Sequence, residues 1–398
     1  MSLFSISNNV NREISIVFHI GSGSVAGFIV KLSKISKPEI IYSKRLPILF
    51  QKNLDLERHF NLMISALDSV SKDVQKQGIA HLNFTGLRNY SIKKAHYMLS
   101  SPWCVSQTKT IKINKDKDFE VSHESIVDIL NEQESKFLSD ISVENPIIIE
   151  KKIIEAKLNG YKTAEIYGKK TKEVEIALFL TSSSVSLLKK IKDTVGKYFS
   201  FRSSDFHSFA LTAFSTIMDT YPDKESFIYV DIHGEMTDLS ITKNSIFTES
   251  FSFPVGKNFF IRKLSEKLKV SPDEAVSLTN TYISGKTNQI TSYKISIAID
   301  SSLEEWSNNF RSALASLSLR MNLPGTIFMT INDNFSSIWA KKIKDEKFSR
   351  FGMAEESFDV IIVKNKKLEE SQKSDKELRN EPVLELECLF LNKLFNLK

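Results

Sequence analysis

Two stretches of β-branched and aromatic residues, each interrupted by a tight polar turn, are the clearest pattern in the chain. The first runs from Ile14 to Val30 with a turn at 19–25, and the second runs from Phe227 to Thr242 with a turn at 231–238. Apolar runs on both sides of a short polar turn predict a β-hairpin. Because the two copies lie in different halves of the chain, they indicate a duplicated domain and not a solenoid repeat.

The segments around the hairpins alternate between strand and helix patterns, which predicts an α/β protein. Apolar residues at helical spacing predict helices at 59–74, 122–137, 184–198, 209–218, 259–268 and 303–317. Extended apolar runs predict strands at 40–42, 81–84, 96–103, 106–113, 146–158, 174–180 and 326–331. Ser271 to Glu274 form a capping box with Pro272 at the first helical position, which marks a further helix start.

Changes of pattern near residues 85 and 200 predict three units. We expect a first half at 1–84, continued at 201–224 and 340–398, an αβ insertion domain at 85–200, and a second half at 225–339. Two duplicated α/β halves would face a cleft, so His19 and Asp231 are expected within ~15 Å of each other. The Lys/Glu-rich stretch at 364–380 lacks aromatic residues and predicts a solvated linker or a frayed surface helix.

Composition narrows the class of protein. The chain has 398 residues, 41% of them hydrophobic, which is enough for more than one core. A net charge of +6 without a basic, aromatic-rich stripe disfavours nucleic acid binding. Cys104 and Cys388 have no partner at ligand spacing, which favours a reducing, cytoplasmic location. The polar N-terminus and the lack of a run of ~18 apolar residues predict that any membrane contact is peripheral.

The second hairpin carries the candidate chemistry. Its turn brings together backbone N–H groups, the Thr237 hydroxyl and the carboxylates of Asp231 and Asp238. This combination predicts a phosphate and magnesium site, although aspartates also cap turns without any ligand. A separate question concerns Trp103, which follows Pro102 and is either a docking residue or a buried aromatic at a strand end.

The paired hairpins resemble the phosphate motifs of the superfamily that joins actin, the heat-shock chaperone ATPases and the sugar kinases. Within it the chain is most similar to the cell-division FtsA family and its pilus relative PilM. The motif Asp-Ile-Gly-Gly-x-x-Thr-Asp is matched at Asp231, Gly234, Thr237 and Asp238. The segment 252–258 resembles the Pro-x-Gly-Gly-Asn segment of the family, and the resemblance extends over residues 14–345.

The resemblance implies an actin-like ATPase fold whose two halves enclose a nucleotide cleft, with ATP and Mg²⁺ as cofactors. Asp231 is the implied metal-binding residue. The residues implied to bind the nucleotide are Gly21, Ser22, Gly23, Ser24, Asp231, Gly234, Thr237, Asp238, Gly256 and Lys257.

The chain departs from the family pattern at four places, and the losses at His19 and at 331–334 predict that ATP binds weakly, if at all, and is scarcely hydrolysed. His19 replaces an aspartate, and imidazole is a poor ligand for magnesium, so we expect a half-buried histidine without a ligand there. His233 places a side chain where the family has a bare backbone, and Lys257 either blocks the cleft or reaches a phosphate. The adenosine loop at 331–334 lacks the family's glycines.

Three functions stay open. The first is a cytoplasmic scaffold of the bacterial division machinery resembling FtsA, with protein partners, self-association and a place at the inner face of the cell membrane. The second is a pilus assembly platform resembling PilM, which binds a short peptide of a membrane partner. The third is an active ATPase or kinase of the same superfamily. The insertion domain, which serves protein partners in the FtsA and PilM family, favours the first two.

The end of the chain, 383–398, predicts an amphipathic helix. Its apolar stripes consist of Leu384, Cys388, Leu391 and Phe395, and of Leu386, Phe390, Leu394 and Leu397. FtsA relatives end in a helix that lies on the membrane, which implies a peripheral membrane contact here. The alternative is a final helix packed on the first half.

Overall fold

The structure is a computed structural model that describes residues 11–85, 87, 92, 94–331, 335–345, 357–363 and 381–397. Three mixed or antiparallel sheets with helices packed against them confirm the predicted α/β class. The linker predicted at 364–380 and most of the loop predicted at 331–334 lie outside the described residues.

The first sheet has the strand order β3-β2-β1-β4-β9. Its strands are β1 (Arg12–Ile20), β2 (Ser24–Ser33), β3 (Glu39–Pro47), β4 (Lys94–Leu99) and β9 (Ser203–Ser208). Helices α1 (Leu56–Asp73) and α4 (Val185–Gly196) cover one face, and α5 (Phe209–Thr220) follows β9. In α1, Met63, Leu67 and Val70 repeat at helical spacing and are fully buried against the sheet.

The prediction of a strand at 81–84 is wrong, because these residues belong to helix α2 (Ile79–Phe84). A five-residue π-helical segment, Val74–Gly78, connects α1 to α2, so the chain stays helical through both. A four-residue apolar run does not distinguish a strand from the end of a long helix.

The second sheet repeats the plan of the first, with the order β12-β11-β10-β13-β14. Its strands are β10 (Phe227–Ile232), β11 (Thr237–Lys243), β12 (Ile246–Phe253), β13 (Thr326–Ile331) and β14 (Asp359–Ile362). In each sheet an antiparallel meander of three strands is followed by two parallel strands. The matching topology is what a duplicated domain produces.

Within the described residues, five helices accompany the second sheet and share one core around the buried rings of Trp306, Phe310 and Trp339. They are α6 (Lys257–Leu268), α7 (Pro272–Ile283), α8 (Gln289–Ser302), α9 (Glu304–Ser318) and α10 (Ser336–Asp345). The predicted start of α7 is present, since the Ser271 side chain accepts a hydrogen bond from the Glu274 backbone N–H.

A third sheet with the order β5-β8-β6-β7 is separate from the sheets of the two halves. It contains β5 (Val105–Glu120), β6 (Pro146–Leu158), β7 (Tyr161–Lys162) and β8 (Lys170–Ser184), with α3 (His123–Asp140) against one face. We therefore place the insertion domain at 105–184.

This sheet order differs from the division predicted at 85–200 and at 340–398. Strand β4 pairs with β1, and α4 contributes Leu187, Ile191 and Val195 to the core of the first half. Helix α10 and strand β14 belong to the second half, because they pack against and pair with β13. The composition of β4 and α4 does not reveal their place, because the strands and helices they pack against are distant in the chain.

The last helix, α11 (Pro382–Asn396), packs against β2 and α5 of the first half. Leu384, Leu386, Cys388 and Leu391 are at most 1% exposed, so the apolar positions that would enter a bilayer are already buried. The implied membrane contact of this helix is corrected accordingly, and the packed alternative is the one observed. Among the described residues, no helix has the length and apolar character to cross a membrane.

Candidate functional site

The turns of the two duplicated hairpins meet at the cleft through a pair of glycines. A Cβ atom added to Gly234 would lie 2.3 Å from Gly23 Cα, and one added to Gly23 would lie 2.6 Å from Gly234 Cα. Ser22 Oγ accepts hydrogen bonds from the backbone N–H groups of Glu235 (3.0 Å) and Met236 (3.3 Å). The two halves are therefore in direct contact where the sequence predicts bound phosphate.

His233 occupies the space between the two predicted carboxylates. Its Nε2 lies 2.7 Å from Asp231 Oδ2 and 3.6 Å from Asp238 Oδ2, as an ion pair whose N–H direction is not aligned for hydrogen bonding. Asp231 Oδ1 accepts a hydrogen bond of 2.6 Å from the Thr330 hydroxyl. Burial alone would lower the pKa of His233, but Asp231 and then Asp238 raise this pKa to about 10. His233 is thus a buried cation at neutral pH.

His19, from the first hairpin, is 1% exposed and not half-buried as predicted. Its Nδ1 lies 2.6 Å from Glu387 Oε1 on α11. Burial, and then the positive charges of Arg45 and His233, hold the pKa of His19 well below its usual value. Burial also raises the pKa of Glu387 well above its usual value. Both shifts favour the uncharged forms of the two side chains.

A cavity of about 230 Å³ lies beside the joined hairpins. Six of the ten predicted cofactor-binding residues line it, namely Gly21, Gly23, Ser24, Asp231, Gly234 and Lys257. His19 and Asp231 line the same cavity, and the rings of His19 and His233 are 6.3 Å apart, as the prediction of a shared cleft requires.

The other four predicted residues serve contacts within the protein. Ser22 joins the hairpins, and Asp238 is paired with His233. The Thr237 hydroxyl donates to Val255 O (2.8 Å) and accepts from Trp306 Nε1 (3.0 Å), which places it in the core of the second half. A Cβ on Gly256 would lie 2.6 Å from two carbonyl oxygens of the second hairpin, so this glycine is required by close backbone packing.

The residues present do not fit a magnesium–ATP complex. Asp231, the predicted metal-binding carboxylate, is neutralised by the protonated His233. His19 offers imidazole where magnesium favours oxygen. Arg45, which lines the cavity, is held by both carboxylate oxygens of Glu381 at 2.9 and 3.0 Å. Of the predicted adenosine loop, only Ile331 is described, and it is buried.

Trp103 is a buried aromatic and not an exposed docking residue. It is 8% exposed, its ring stacks on that of His59 at 5.8 Å, and its Nε1 donates a hydrogen bond of 3.0 Å to Gly21 O. Trp103 therefore packs beneath the turn of the first hairpin and stabilises it through this hydrogen bond.

A groove between two sheet edges is a feature that the sequence reasoning missed. Among the described strands, β9 is an edge of the first sheet, and β7 pairs with β6 at Lys157 and Leu158, which leaves the earlier part of β6 as an edge. The groove between these edges has a volume of about 460 Å³. Residues 147–152 and 204–207 line its two sides, together with Leu188 and Lys192 of α4.

The floor of the groove is ordered by a buried carboxylate. Glu150 is 6% exposed, and its Oε2 accepts hydrogen bonds from the Ser208 backbone N–H (2.8 Å) and hydroxyl (2.7 Å). Burial is the largest single effect on Glu150 and raises its pKa. The combined interactions with His207, Lys152 and Ser208 exceed that effect, so the pKa of Glu150 is lowered. The apolar run of β6 predicted a strand, but β9 has one apolar residue among six, and the sequence did not show that the two strands approach each other.

Comparison with solved structures identifies the fold of the chain. No family model matches the chain, and no curated protein matches its sequence. A chain of a PilM–PilN type IV pilus biogenesis complex superposes with a TM-score of 0.60 at 12% identity, covering 96% of this chain and 98% of that one.

Two further solved structures superpose less closely. A protein of unknown function with an actin-like ATPase fold from Bacteroides thetaiotaomicron gives a TM-score of 0.43 at 9% identity, covering 97% and 99% of the two chains. The ethanolamine utilization protein EutJ from Carboxydothermus hydrogenoformans gives 0.39 at 10% identity, covering 94% and 89%. The match to the PilM chain, together with the duplicated sheets, shows that the chain has an actin-like ATPase fold, as the paired hairpins predicted.

Proposed function

We propose that this chain is a cytoplasmic partner-binding platform of the PilM type, in which the groove between β6 and β9 holds an extended segment of a second protein. The observation that carries the proposal is that two strand edges face each other across one groove. An edge presents a row of backbone N–H and C=O groups, and an added strand can pair with them. The superposed PilM chain comes from a two-protein complex, which supports a protein partner.

The side chains of the groove define the kind of segment that fits. Ile147 is 45% exposed at its rim, and Leu188 of α4 lies on the facing side, so the segment should carry an apolar residue. Lys151, Lys152 and Lys192 line the same groove and favour acidic residues beside it. We infer that the occupant is a short cytoplasmic segment of a membrane protein, held at the inner face of the membrane, with an apolar residue flanked by acidic ones.

A division scaffold resembling FtsA is the other use of this fold that the sequence favours. The insertion domain and the groove would serve it equally. We place the pilus role first because the PilM chain is matched over almost its whole length. Pilus genes beside the gene for this chain would support that order, whereas a neighbouring tubulin-like gene would reverse it.

We expect a groove variant to lose partner binding selectively. The test uses overlapping synthetic peptides that cover the cytoplasmic segments of the membrane proteins encoded beside this chain. Ile147→Arg should weaken binding by about tenfold or more, because it adds charge and bulk at an apolar contact. The control is Ile290→Arg, since Ile290 is 73% exposed on α8 in the second half. Equal loss in both variants, or binding of no segment by the native chain, would contradict the proposal.

The proposal also assigns the cleft a structural role, as a joint between the halves. The native chain should therefore bind ATP weakly and release no phosphate from it above a blank. The double variant His19→Asp/His233→Gly restores the family residue at both positions and should bind ATP with magnesium more tightly than the native chain. A carboxylate-held metal is worth several kcal/mol to phosphoryl transfer where it is present.

Calorimetric titration and a phosphate-release assay measure both quantities, with magnesium and with EDTA. His19→Asp alone separates the two defects, because His233 still fills the cleft in that variant. Brisk, magnesium-dependent turnover by the native chain would overturn this part of the proposal and leave the groove proposal intact.

A further inference from the structure

A cluster of three metal-ligand side chains lies beside the groove, on one face of the first sheet. Strands β4 and β9 are parallel neighbours, with His96 opposite Asp205 in the register. His207 follows Asp205 by two positions, so strand periodicity brings it to the same face. One ligand atom from each of the three side chains lies within 4.8 Å of the others. Asp205 and His207 also line the groove, which gives an ion a path from solvent.

The two imidazoles are spaced as a chelating pair. His96 Nδ1 and His207 Nε2 are 3.2 Å apart. Two nitrogens that each lie ~2.0–2.1 Å from one ion, at tetrahedral or octahedral angles, are separated by about 2.9–3.4 Å. Without an ion, the same separation accommodates a hydrogen bond between the rings. The pair can thus bind a metal without moving the strands that carry it.

The second nitrogen of His207 is already held in the way that metal sites require. His207 Nδ1 lies 3.2 Å from Glu150 Oε1, and Glu150 is itself fixed by two hydrogen bonds from Ser208. A carboxylate on the far nitrogen keeps the proton there and directs the Nε2 lone pair toward the ion. Both histidines are buried, at 4% and 6% exposure, which limits competition from water.

We propose that His96, His207 and Asp205 form a site for a divalent transition-metal ion, with Zn²⁺ as the best match. Two imidazoles and one carboxylate suit zinc and not magnesium or calcium. Three protein ligands leave a further position open toward the groove, for water or for a group of a ligand. The site does not depend on the partner proposed above.

The ion pair between Lys94 and Asp205 predicts one substitution that strengthens metal binding and does not weaken it. Asp205 Oδ2 lies 2.6 Å from Lys94 Nζ, and the Asp205 side chain is 44% exposed, so it can turn toward the imidazoles. The ammonium group and the ion then compete for one carboxylate. Removing Lys94 should therefore strengthen metal binding, whereas removing any of the three ligands should weaken it.

The experiment titrates Zn²⁺, and Co²⁺ with visible absorbance, into the metal-free full-length chain without a histidine tag. One ion per chain is expected, with affinity lowered by about 10- to 100-fold in His207→Gln and in Asp205→Asn. Lys94→Met should raise the affinity by about two- to fivefold. His123→Gln is the matched control, because His123 is exposed on α3, outside the groove. Far-UV circular dichroism checks that each variant is folded.

Absence of stoichiometric binding by the native chain would overturn the site. Undiminished binding in folded His207→Gln, or a loss in His123→Gln as large as that in His207→Gln, would do the same. A lower affinity in Lys94→Met would also contradict the geometry, because it would place Lys94 among the groups that support the ion. Failure of the peptide experiment has no bearing on any of these outcomes.

Discussion

Replacing Gly234 by alanine should lower the free energy of unfolding by about 1–3 kcal/mol in buffer without nucleotide. The added methyl group would lie 2.3 Å from Gly23 Cα and 2.9 Å from Gly23 N, and backbone atoms in a buried hairpin contact cannot move aside easily. A glycine kept for phosphate approach would instead affect nucleotide affinity and leave the stability of the free protein unchanged. Urea denaturation followed by fluorescence measures the difference.

Gly196→Ala is the matched control for this substitution. A Cβ at Gly196, the last residue of α4, would meet no atom within 4 Å. Alanine is the better helix former, so this variant should be unchanged or slightly more stable, by up to about 1 kcal/mol. If Gly234→Ala proved as stable as the native chain, the hairpins would have to separate more readily than the contact between their glycines implies.

The sequence predicted the hairpins because their evidence is local. A β-branched run, a polar turn and a returning run determine one another within a few residues, and the family motif fixes Asp231, Gly234 and Asp238. The contacts that these residues make were not predictable in the same way, because they depend on side chains around the turn. His233 was expected to obstruct a ligand, but it takes the ligand's place as a cation between two carboxylates.

Apart from the helix at 79–84, the features that sequence reasoning missed join distant parts of the chain. The groove depends on β6 and β9, which are edges of different sheets. The cluster of His96, Asp205 and His207 depends on the pairing of β4 with β9, which join the first sheet from opposite ends of the insertion domain. The sequence of α11 predicts an amphipathic helix, but its pattern is the same whether a bilayer or a protein core covers it. Only the fold decides which surface meets the helix.

Replacing Asp231 by asparagine should lower the free energy of unfolding by about 2–4 kcal/mol at pH 7. Removing one partner of a buried ion pair costs about 3–5 kcal/mol, and His233 can reduce this cost by releasing its proton. Asp231 Oδ2 lies 2.7 Å from His233 Nε2, and both side chains are at most 6% exposed. Asparagine keeps an acceptor for the Thr330 hydroxyl, so the change tests the charge more than the shape.

Asp219→Asn is the control, because it makes the same chemical change in a surface pair. Asp219 lies 2.9 Å from Lys393, but the two side chains are 55% and 41% exposed. Exposed ion pairs contribute about 0–1 kcal/mol, so this variant should remain close to the native stability. Equal effects of the two substitutions would remove the special role of the cleft.

The same ion pair predicts a pH dependence with a definite sign. An unfolded histidine has a pKa of about 6.5, and the folded pKa of His233 is about 10. Between these values the folded state binds more protons, so the contribution of His233 to stability is complete below pH 6.5 and is lost as the pH rises toward 10. The native chain should lose stability across this window by up to about 1.4 kcal/mol per pH unit.

Asp231→Asn should show a much shallower slope, so the two stability curves should converge from pH 6.5 toward pH 10. Urea denaturation at pH 6.5, 8 and 9.5 measures this convergence, and groups that do not interact with Asp231 or His233 contribute equally to both chains. Parallel curves would mean that His233 is neutral in the folded state. The contact of the glycines and the hydrogen bonds of Ser22 would then hold the halves together without a buried charge.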